Sequence, residues 1–388
     1  MLEITSLLPE DAAEAALCGR VWRPSLDGPS LVAIRPEGVF DVTAAWPTAS
    51  ALAAESDPAA ALRACAGERI GELAPIAANT PPDGRDPQRD WLLAPIDLQA
   101  IKASGVTFVV SLLERVIEER ARGNPKDAAA IRDQVESLVG GDLARLAPGS
   151  PEAMALKETL VAQGLWSQYL EVGIGPDAEI FTKAQPLSAV GSGMDAGLHP
   201  ASTWNNPEPE AVLVIAPDGR PVGATLGNDV NLRDFEGRSA LLLGLAKDNN
   251  ASCAIGPFLR FFDADFSLDS VRRMDVALEV EGEDGFHLEA VSSLSKISRD
   301  PADLVRQAIG PNHRYPDGLV LFLGTMFAPV QDRDTPGGGF THKSGDRVTI
   351  SAPQLGALVN RMRPAPECEP WRFGAGALMR SLARRGVI

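Results

Sequence analysis

The sequence of 388 residues predicts an α+β fold with a largely β core in its rear two-thirds. After Tyr169, short apolar runs alternate with turns rich in glycine, proline and asparagine as far as about residue 350. One helical pattern, Asp303–Ile309, interrupts these runs. Before Tyr169, apolar residues recur at helical spacing over Gly105–Glu136, and a second helix is predicted over Pro151–Gln163.

A small β-rich N-terminal domain is predicted over residues 1–90, followed by a catalytic domain over residues 91–388. The boundary is placed at a segment rich in turn-forming residues, Asn79–Arg89. The front segment contains three strand-like runs and one alanine-rich helical stretch, which are Gly19–Trp22, Ser30–Ile34, Gly38–Val42 and Ala51–Ala66.

The overall charge and composition exclude several classes of partner. A net charge of −16 argues against a nucleic acid or an anionic membrane surface, since both require a basic surface. The four cysteines are scattered without a C-x-x-C pair, which is typical of a reducing cytoplasm. The acidic N-terminus lacks the features of a signal peptide, and no apolar stretch is long enough to span a bilayer. We therefore expect a cytoplasmic protein whose partner is neither a nucleic acid nor an anionic membrane surface.

Two glutamates separated by one residue, Glu208 and Glu210, begin an apolar run that continues through a Pro-Asp-Gly-Arg turn into a second run ending near Asp229. Side chains two apart on a strand point the same way, and the hairpin brings Asp229 back toward them. Three carboxylates on one face repel one another unless a cation joins them. Such oxygen ligands suit Mg²⁺, Mn²⁺ or Ca²⁺, although a glutamate pair taken alone is usually a solvated face.

Two other features have a structural and a functional interpretation. Cys253 lies near these carboxylates, but no histidine is close to it in sequence, so a buried core thiol is the better interpretation. Gly337–Gly339 predicts a mobile loop that is either a lid or a long surface hairpin.

Taken together and in order, these motifs resemble the fumarylacetoacetate hydrolase superfamily over roughly Ala103–Val359. The resemblance implies a mixed β-sandwich roll, a divalent metal that is usually Mg²⁺ and sometimes Mn²⁺, and an α-keto acid or acylpyruvate-like substrate. The residues that carry it are Phe181-Thr182-Lys183, Glu208-x-Glu210, Asn228-Asp229-Val230-x-x-Arg233-Asp234, Lys247, Tyr315-Pro316-Asp317-Gly318, Gly324-Thr325 and Gly345-Asp346-x-Val348.

The resemblance also implies roles for individual residues. Glu208, Glu210 and Asp229 match the metal ligands of the family, and Lys247 matches its active-site lysine. Four residues in the matching motifs are expected to bind or position the substrate, namely Arg233, Thr325, Lys183 and Gly324. Arg233 could instead pair with Asp234 or Glu236 and hold the metal loop in shape.

One departure from the family pattern bears on the reaction. Many members carry a histidine three residues before a glutamate, and this pair activates a hydrolytic water. Here the glutamate is kept as Glu114, but Ser111 replaces the histidine, so the water has lost its usual base. The segments Gly105–Phe108 and Thr203–Pro207 resemble one branch of the family, the 2-keto-3-deoxy-pentonate dehydratases of D-xylonate or D-arabinonate breakdown. That branch forms α-ketoglutarate semialdehyde.

We therefore predict a dehydration in which the substrate's carboxylate and keto oxygen bind the metal. Lys247, with a pKa lowered by its surroundings, removes the C3 proton, or it stays charged and stabilises the enolate. Glu114 is the expected acid for the leaving C4 hydroxyl, and Ser111 is expected to hydrogen-bond the substrate or a water.

Two other functions are open at this point. A metal-dependent C–C hydrolase or decarboxylase would release pyruvate or carbon dioxide, and Ser111 argues against it. A protein that binds sugar acids without turnover would not be expected to keep the full set of carboxylates with Lys247. The family resemblance also implies a homo-oligomer, either a dimer or a tetramer.

Overall fold

The structure, a computed structural model, describes residues 7–122, 124, 146–162, 164, 166–327, 331–335 and 339–388. Within them the chain forms two β-sheets, a short two-stranded ladder and a set of mostly short helices. The α+β class and the β-sandwich form are therefore confirmed.

The larger sheet has eleven strands among the described residues, ten of which follow one another in an unbroken order. In sheet order these are β4 (Glu68–Gly71), β3 (Gly38–Asp41), β2 (Gly28–Arg35), β1 (Leu17–Arg23), β13 (Cys253–Phe261), β11 (Pro221–Asp229), β10 (Pro209–Ile215), β16 (Leu319–Phe322), β6 (Ala100–Gly105) and β7 (Glu179–Ala184). The eleventh strand, β5 (Trp91–Leu93), pairs with β1. Strands β10 and β11 form the predicted hairpin, whose turn contains Pro217–Arg220.

The smaller sheet contains five strands in the same part of the chain. In sheet order they are β15 (His287–Ser293), β14 (Asp275–Glu281), β17 (Arg347–Ala352), β18 (Gly356–Pro364) and β8 (Asp195–Leu198). Strands β14 and β15 form the second predicted hairpin. Two residues each from β9 (Asn205–Asn206) and β12 (Asn231–Leu232) make a separate ladder.

The helices are short, and two of the four predicted ones, over Pro151–Gln163 and Asp303–Ile309, closely match the prediction. The α-helices that the structure describes are α1 (Ala49–Ala53), α2 (Pro58–Ala64), α3 (Leu73–Ala78), α4 (Val109–Arg120), α5 (Pro151–Ala162), α6 (Gln168–Ile174), α7 (Arg233–Glu236), α8 (Leu243–Lys247), α9 (Leu268–Arg272), α10 (Pro301–Ala308) and α11 (Ala375–Arg384). None of the helices in this part of the chain combines the length and the apolar character needed to span a bilayer.

The helix predicted over Gly105–Glu136 begins later than expected, because Gly105 still pairs with Glu179 in the sheet. It is observed as α4, and the predicted portion after Arg122 lies outside the described residues apart from Asn124. Two residues of the predicted glycine loop, at positions 337 and 338, also lie outside them.

The core lies between the two sheets and continues on the far face of the larger one. Every residue of β10 is buried. Its odd-numbered members, such as Leu213 and Ile215, pack with residues of the smaller sheet, including Leu278 and Ile350. The even-numbered Val212 and its alternating neighbours instead pack with the N-terminal segment. Alternation of side chains along one strand therefore serves two separate cores.

The N-terminal segment contains the three predicted strands, and they continue the main sheet. The first residues of β1, Leu17 and Cys18, pair with β13, so one sheet includes strands from both sides of residue 90. The division into residues 1–90 and 91–388 remains our proposal. The single helix predicted over Ala51–Ala66 is wrong, because Asp57 caps a new helix there and Pro58 occupies its first turn.

Candidate active site

Three buried carboxylates meet where β10 begins and β11 ends. Glu208 directly precedes β10, Glu210 is the second residue of that strand, and Asp229 is the last residue of β11. The backbone N–H of Asp229 donates to the carbonyl of Glu208 over 3.1 Å, which fixes the register of the two strands at the site. One carboxylate oxygen from each of the three side chains lies within 4.8 Å of the other two.

A small cavity surrounds this carboxylate triad. Its volume is about 20 Å³, which is room for one water molecule or one metal ion. The described residues that line it are Ser104, Gly105, Val106, Ser111, Arg115, Phe181, Glu208, Glu210, Asp229, Glu236, Lys247, Gly324 and Thr325. No histidine is among them.

The three carboxylates repel one another, and a hard divalent cation bound between them would remove this repulsion. Burial and the charges of Asp229 and Glu208 raise the pKa of Glu210 well above its ordinary value. The backbone N–H of Gly324 donates to Oε2 of Glu210 over 2.6 Å and fixes this side chain. Oxygen ligands in this number and spacing are typical of Mg²⁺, Mn²⁺ or Ca²⁺ sites. The predicted metal ligands are therefore brought together as expected.

Lys247, the last residue of α8, is the predicted lysine and points into the triad. Its Nζ lies 2.6 Å from Oε2 of Glu208 and 3.0 Å from Oδ2 of Asp229. Burial alone would lower the pKa of Lys247, but the charges of these two carboxylates and of Glu236 outweigh it and raise the pKa. The expected lowered pKa is therefore wrong for this arrangement, in which Lys247 is an ammonium counterion.

Lys183 does not line the cavity, although we expected it to contact the substrate. Its side chain is fully buried, and Nζ lies 3.0 Å from Oδ1 of Asp229. The same ammonium group donates to the backbone carbonyl of Lys247. Burial alone would raise the pKa of Asp229, but Lys247 and Lys183 outweigh it and lower that pKa. Lys183 therefore supports the site from behind by keeping Asp229 ionised.

Arg115 lies at the centre of the site, and the sequence interpretation missed it. It lies one turn after Ser111 on α4 and joins three carboxylates, at 2.7 Å from Glu118, 2.6 Å from Glu208 and 2.9 Å from Glu236. Burial alone would lower the pKa of Arg115, but these carboxylates raise it well above the ordinary value. Its four-residue spacing from Ser111 was the available signal, since residues four apart share a helix face.

Glu236, the second residue that the sequence interpretation missed, ends α7 and is 4% exposed. Burial raises its pKa to about 7, although Arg115 and Lys247 act against this. A carboxyl group with such a pKa in a cavity is a common property of functional sites.

Glu114 and Arg233 form an ion pair with each other instead of facing the cavity. Nη2 of Arg233 lies 3.0 Å from Oε2 of Glu114, and its Nε lies 2.6 Å from Oε1 of Glu118. The guanidinium also stacks on Trp204 at 4.2 Å from the ring centroid. Neither Glu114 nor Arg233 is among the described residues that line the cavity. The geometry therefore does not support Glu114 as the acid or Arg233 as a direct substrate contact.

Arg233 uses neither of the two partners that we considered for it. Asp234 instead accepts hydrogen bonds from Ser202 Oγ and Thr203 N, each over 2.8 Å. Glu236 is paired with Arg115. Arg233 does hold this loop in place, but it does so by binding helix α4.

Small polar groups form the remaining wall of the cavity. Ser111 Oγ donates to the carbonyl of Phe108 over 2.8 Å, and Thr325 Oγ1 accepts from the N–H of Phe327 over 3.0 Å. Ser104, which the sequence interpretation also missed, is buried, and its Oγ has no hydrogen-bond partner among the described residues. Its hydroxyl group is therefore free to bind a ligand in the cavity. Gly324 has φ +88, and an added Cβ would lie 2.0 Å from Thr107 Oγ1, so this position requires glycine.

The sequence comparison identifies the fold family of this site. The family described as fumarylacetoacetate (FAA) hydrolase C-terminal matches residues 177–363. This segment belongs to the fumarylacetoacetate hydrolase family. It contains the carboxylate triad, Lys247 and Thr325, whereas Ser111 and the rest of α4 lie before it.

Two curated relatives each match about half of this chain. The 2-dehydro-3-deoxy-D-arabinonate dehydratase of Saccharolobus solfataricus is 29% identical over 185 residues, which are 48% of this chain and 58% of that protein. The probable 2-keto-3-deoxyxylonate dehydratase of Haloferax volcanii is 29% identical over 192 residues, which are 50% of this chain and 62% of that protein. The chain thus spans about six-tenths of the length of each curated relative.

Solved structures share the fold over most of the chain. A 2-keto-3-deoxy-D-arabinonate dehydratase complexed with magnesium and 2,5-dioxopentanoate has a TM-score of 0.59 and 21% identity. The similarity covers 90% of this chain and 99% of that one. A hexagonal crystal form of 2-keto-3-deoxyarabinonate dehydratase has a TM-score of 0.60, 22% identity and the same coverage. At this level of identity the likeness shows the common fold.

Proposed function

We propose that the protein is a metal-dependent hydro-lyase that converts a 2-keto-3-deoxy-D-pentonate, derived from D-xylonate or D-arabinonate, to α-ketoglutarate semialdehyde. The observation that carries the proposal is a buried carboxylate triad, bound by Lys247, in a cavity whose described wall contains no imidazole. The names of both curated relatives support the same substrate class.

The proposed metal is Mg²⁺, with Mn²⁺ as an alternative, held by Glu208, Glu210 and Asp229. A bound cation of this kind polarises a keto oxygen and makes the neighbouring C–H more acidic. The backbone hydrogen bond between Asp229 and Glu208 fixes the positions of these two ligands, and the N–H of Gly324 fixes the side chain of Glu210. A substrate of five carbons is larger than the cavity, so side chains of the wall move when it enters.

Lys247 is the proposed carrier of the proton that leaves C3. In the structure, Glu208 and Asp229 hold this proton on Nζ. Once these carboxylates share their charge with a cation, they bind the proton on Lys247 less strongly, and the amine becomes the base for C3. The C3 proton and the C4 hydroxyl group leave together as water, and the unsaturated keto acid tautomerises to the semialdehyde.

Ser111 orients the C4 hydroxyl group rather than protonating it. The hydroxyl proton of Ser111 already binds the carbonyl of Phe108, and its oxygen accepts from the N–H of Phe108 over 3.3 Å, which leaves one lone pair to accept a hydrogen bond from a ligand. This geometry favours elimination over hydrolysis, because no described residue of the wall replaces the histidine that activates water in many members of the family.

Product analysis tests the proposed function. The EDTA-treated protein is incubated with 2-keto-3-deoxy-D-xylonate, with and without added Mg²⁺, and the products are identified by mass spectrometry. Semialdehyde that forms only with Mg²⁺ supports the dehydratase. Pyruvate or carbon dioxide, released from this acid or from acylpyruvates, would support the C–C hydrolase or decarboxylase instead.

We also propose that the chain acts in the cytoplasm as a homo-oligomer. The three buried cysteines in the described part of the chain are free thiols, which fits a reducing compartment. Leu241 is 95% exposed, and Leu245, one turn later, is 42% exposed, so this surface is a candidate subunit contact. Light scattering of the purified protein measures the number of subunits.

A further inference from the structure

The cavity wall carries a fourth carboxylate, which is not part of the metal triad. Oε2 of Glu236 lies 2.9 Å from Nη1 of Arg115, and Nη2 of the same arginine lies 2.6 Å from Oε1 of Glu208. One guanidinium group therefore joins Glu236 to the triad. The carboxylate oxygens of Glu236 and Glu208 that bind it are at most about 8 Å apart. A five-carbon acid whose first two carbons face the triad can reach across this gap.

The charges on the cavity wall limit which substrates can bind next to Glu236. Four carboxylates and two cations line the cavity, so the wall carries two negative charges when all six groups are ionised. A divalent cation balances them. A 2-keto acid with one carboxylate adds one negative charge at the metal, whereas a dicarboxylate brings a second one toward Glu236. Like charges in a buried site strongly disfavour binding.

Arg115 does not provide a binding site for a second substrate carboxylate. Its guanidinium group already donates hydrogen bonds to Glu118 and Glu208 and forms an ion pair with Glu236. The group therefore acts as a positioning residue that holds Glu236 against the cavity. Glu236 can accept hydrogen bonds from hydroxyl groups, as carboxylates do.

We propose that Glu236 determines specificity at the distal end of the substrate, where its carboxylate accepts hydrogen bonds from hydroxyl groups and excludes a second carboxylate. The inference rests on the proposed function, because it takes the first two carbons of a 2-keto acid to lie at the triad. It assigns to Glu236 the selection of a hydroxylated monocarboxylic 2-keto acid over a dicarboxylic one.

Calorimetric binding of two unreactive acids to the Mg²⁺-loaded protein tests this proposal without turnover. 5-Hydroxy-2-oxopentanoate keeps a distal hydroxyl group but lacks the C4 hydroxyl group that is eliminated. 2-Oxoglutarate has the same length and ends in a carboxylate. We expect the wild-type protein to bind the hydroxy acid at least about tenfold more tightly. Glu236→Gln is expected to bring the two affinities within about threefold of each other.

Two further variants distinguish an effect of the charge on Glu236 from a general structural disturbance of the site. Glu118→Gln removes a buried carboxylate that binds Arg115 but does not line the cavity, and it should leave the affinity ratio unchanged. Glu236→Asp keeps the charge and should keep the discrimination against 2-oxoglutarate. An unchanged ratio in Glu236→Gln, or an equal change in Glu118→Gln, would overturn the proposal.

These binding data distinguish this inference from the proposed function. A protein that forms semialdehyde but binds both acids equally well would overturn the role of Glu236 alone. A protein that discriminates between the two acids but forms no semialdehyde would keep that role and overturn the dehydratase.

Discussion

Nη2 of Arg115 lies 2.6 Å from Oε1 of Glu208, and this contact connects helix α4 to the carboxylate triad. Arg115 also binds Glu118 and Glu236, so one guanidinium group holds acidic side chains from three separate segments. Buried carboxylates are stable only when they are paired. The arrangement of the site therefore depends on an arginine that is not one of the predicted metal ligands or catalytic groups.

Replacing this arginine should destabilise the protein in a way that metal partly reverses. Arg115→Met leaves buried carboxylates unpaired and should lower the free energy of unfolding by about 3 kcal/mol in EDTA. Mg²⁺ should restore part of this loss, because Glu208 then has a cation as partner. Urea unfolding with and without Mg²⁺ measures both effects.

Arg238→Met, at an exposed position over Phe235, is the control and should change stability by less than about 0.5 kcal/mol. Equal effects in the two variants would contradict the prediction.

Glu210→Gln should weaken Mg²⁺ binding without lowering the stability of the metal-free protein. Because the pKa of Glu210 is raised, its carboxyl group is readily neutral in the metal-free protein, and glutamine should be tolerated there. Affinity for Mg²⁺, measured by calorimetry, should fall by more than about a hundredfold, whereas stability in EDTA should not fall.

Glu179→Gln is the matched control for this variant, since the pKa of Glu179 is also raised by burial but it is not a proposed ligand. It should keep the Mg²⁺ affinity within about threefold of wild type. Unchanged affinity in Glu210→Gln would remove Glu210 from the metal site.

Lys247→Met should greatly reduce turnover without weakening metal binding. The variant loses the proposed proton carrier, so kcat should fall by about a hundredfold to ten-thousandfold. Glu208 and Asp229 lose their counterion, so Mg²⁺ should bind at least as tightly as in wild type. Lys183→Met is the comparison, because this fully buried lysine should affect stability most. A Lys247→Met protein with near-normal kcat would exclude the proposed role.

Glu236 should make the metal-free protein less stable as the pH rises. Its pKa in the fold is raised to about 7 from an ordinary value of 4.5, so the folded protein binds the proton more tightly than the unfolded chain. The contribution of this proton binding to the free energy of unfolding is fully present below pH 4.5 and is lost as pH rises through about 7. In EDTA, wild type should therefore lose roughly 3 kcal/mol relative to Glu236→Gln between pH 5 and 8. Urea unfolding across this range measures the difference, and parallel pH profiles would contradict it.

The β10–β11 hairpin and its three carboxylates could be predicted from sequence because they are local. Residue alternation and a tight turn set which side chains share a face, so Glu210 and Asp229 were placed together correctly. The strand-like runs at the front were found in the same way. Their pairing with β13 could not be predicted, since Cys18 and Leu259 are far apart in the chain.

The roles of the charged residues on α4 could not be predicted from sequence, because their partners are distant. Arg115 and Glu208 are separated by 93 residues, and Glu114 and Arg233 by 119. Helical periodicity shows which residues share a face, but it does not show which charge meets that face. Lys183 was assigned to the substrate for the same reason, since its motif does not show that it is buried behind Asp229.

The most direct test of the central claim is a Mg²⁺ titration of the EDTA-treated wild-type protein and Glu210→Gln, with semialdehyde formation from 2-keto-3-deoxy-D-xylonate as the readout. We expect wild-type activity to rise from zero and saturate as the metal site fills, and the variant to stay inactive over the same range. Semialdehyde formed equally well without metal, or equally well by both proteins, would contradict a dehydratase that works through this triad.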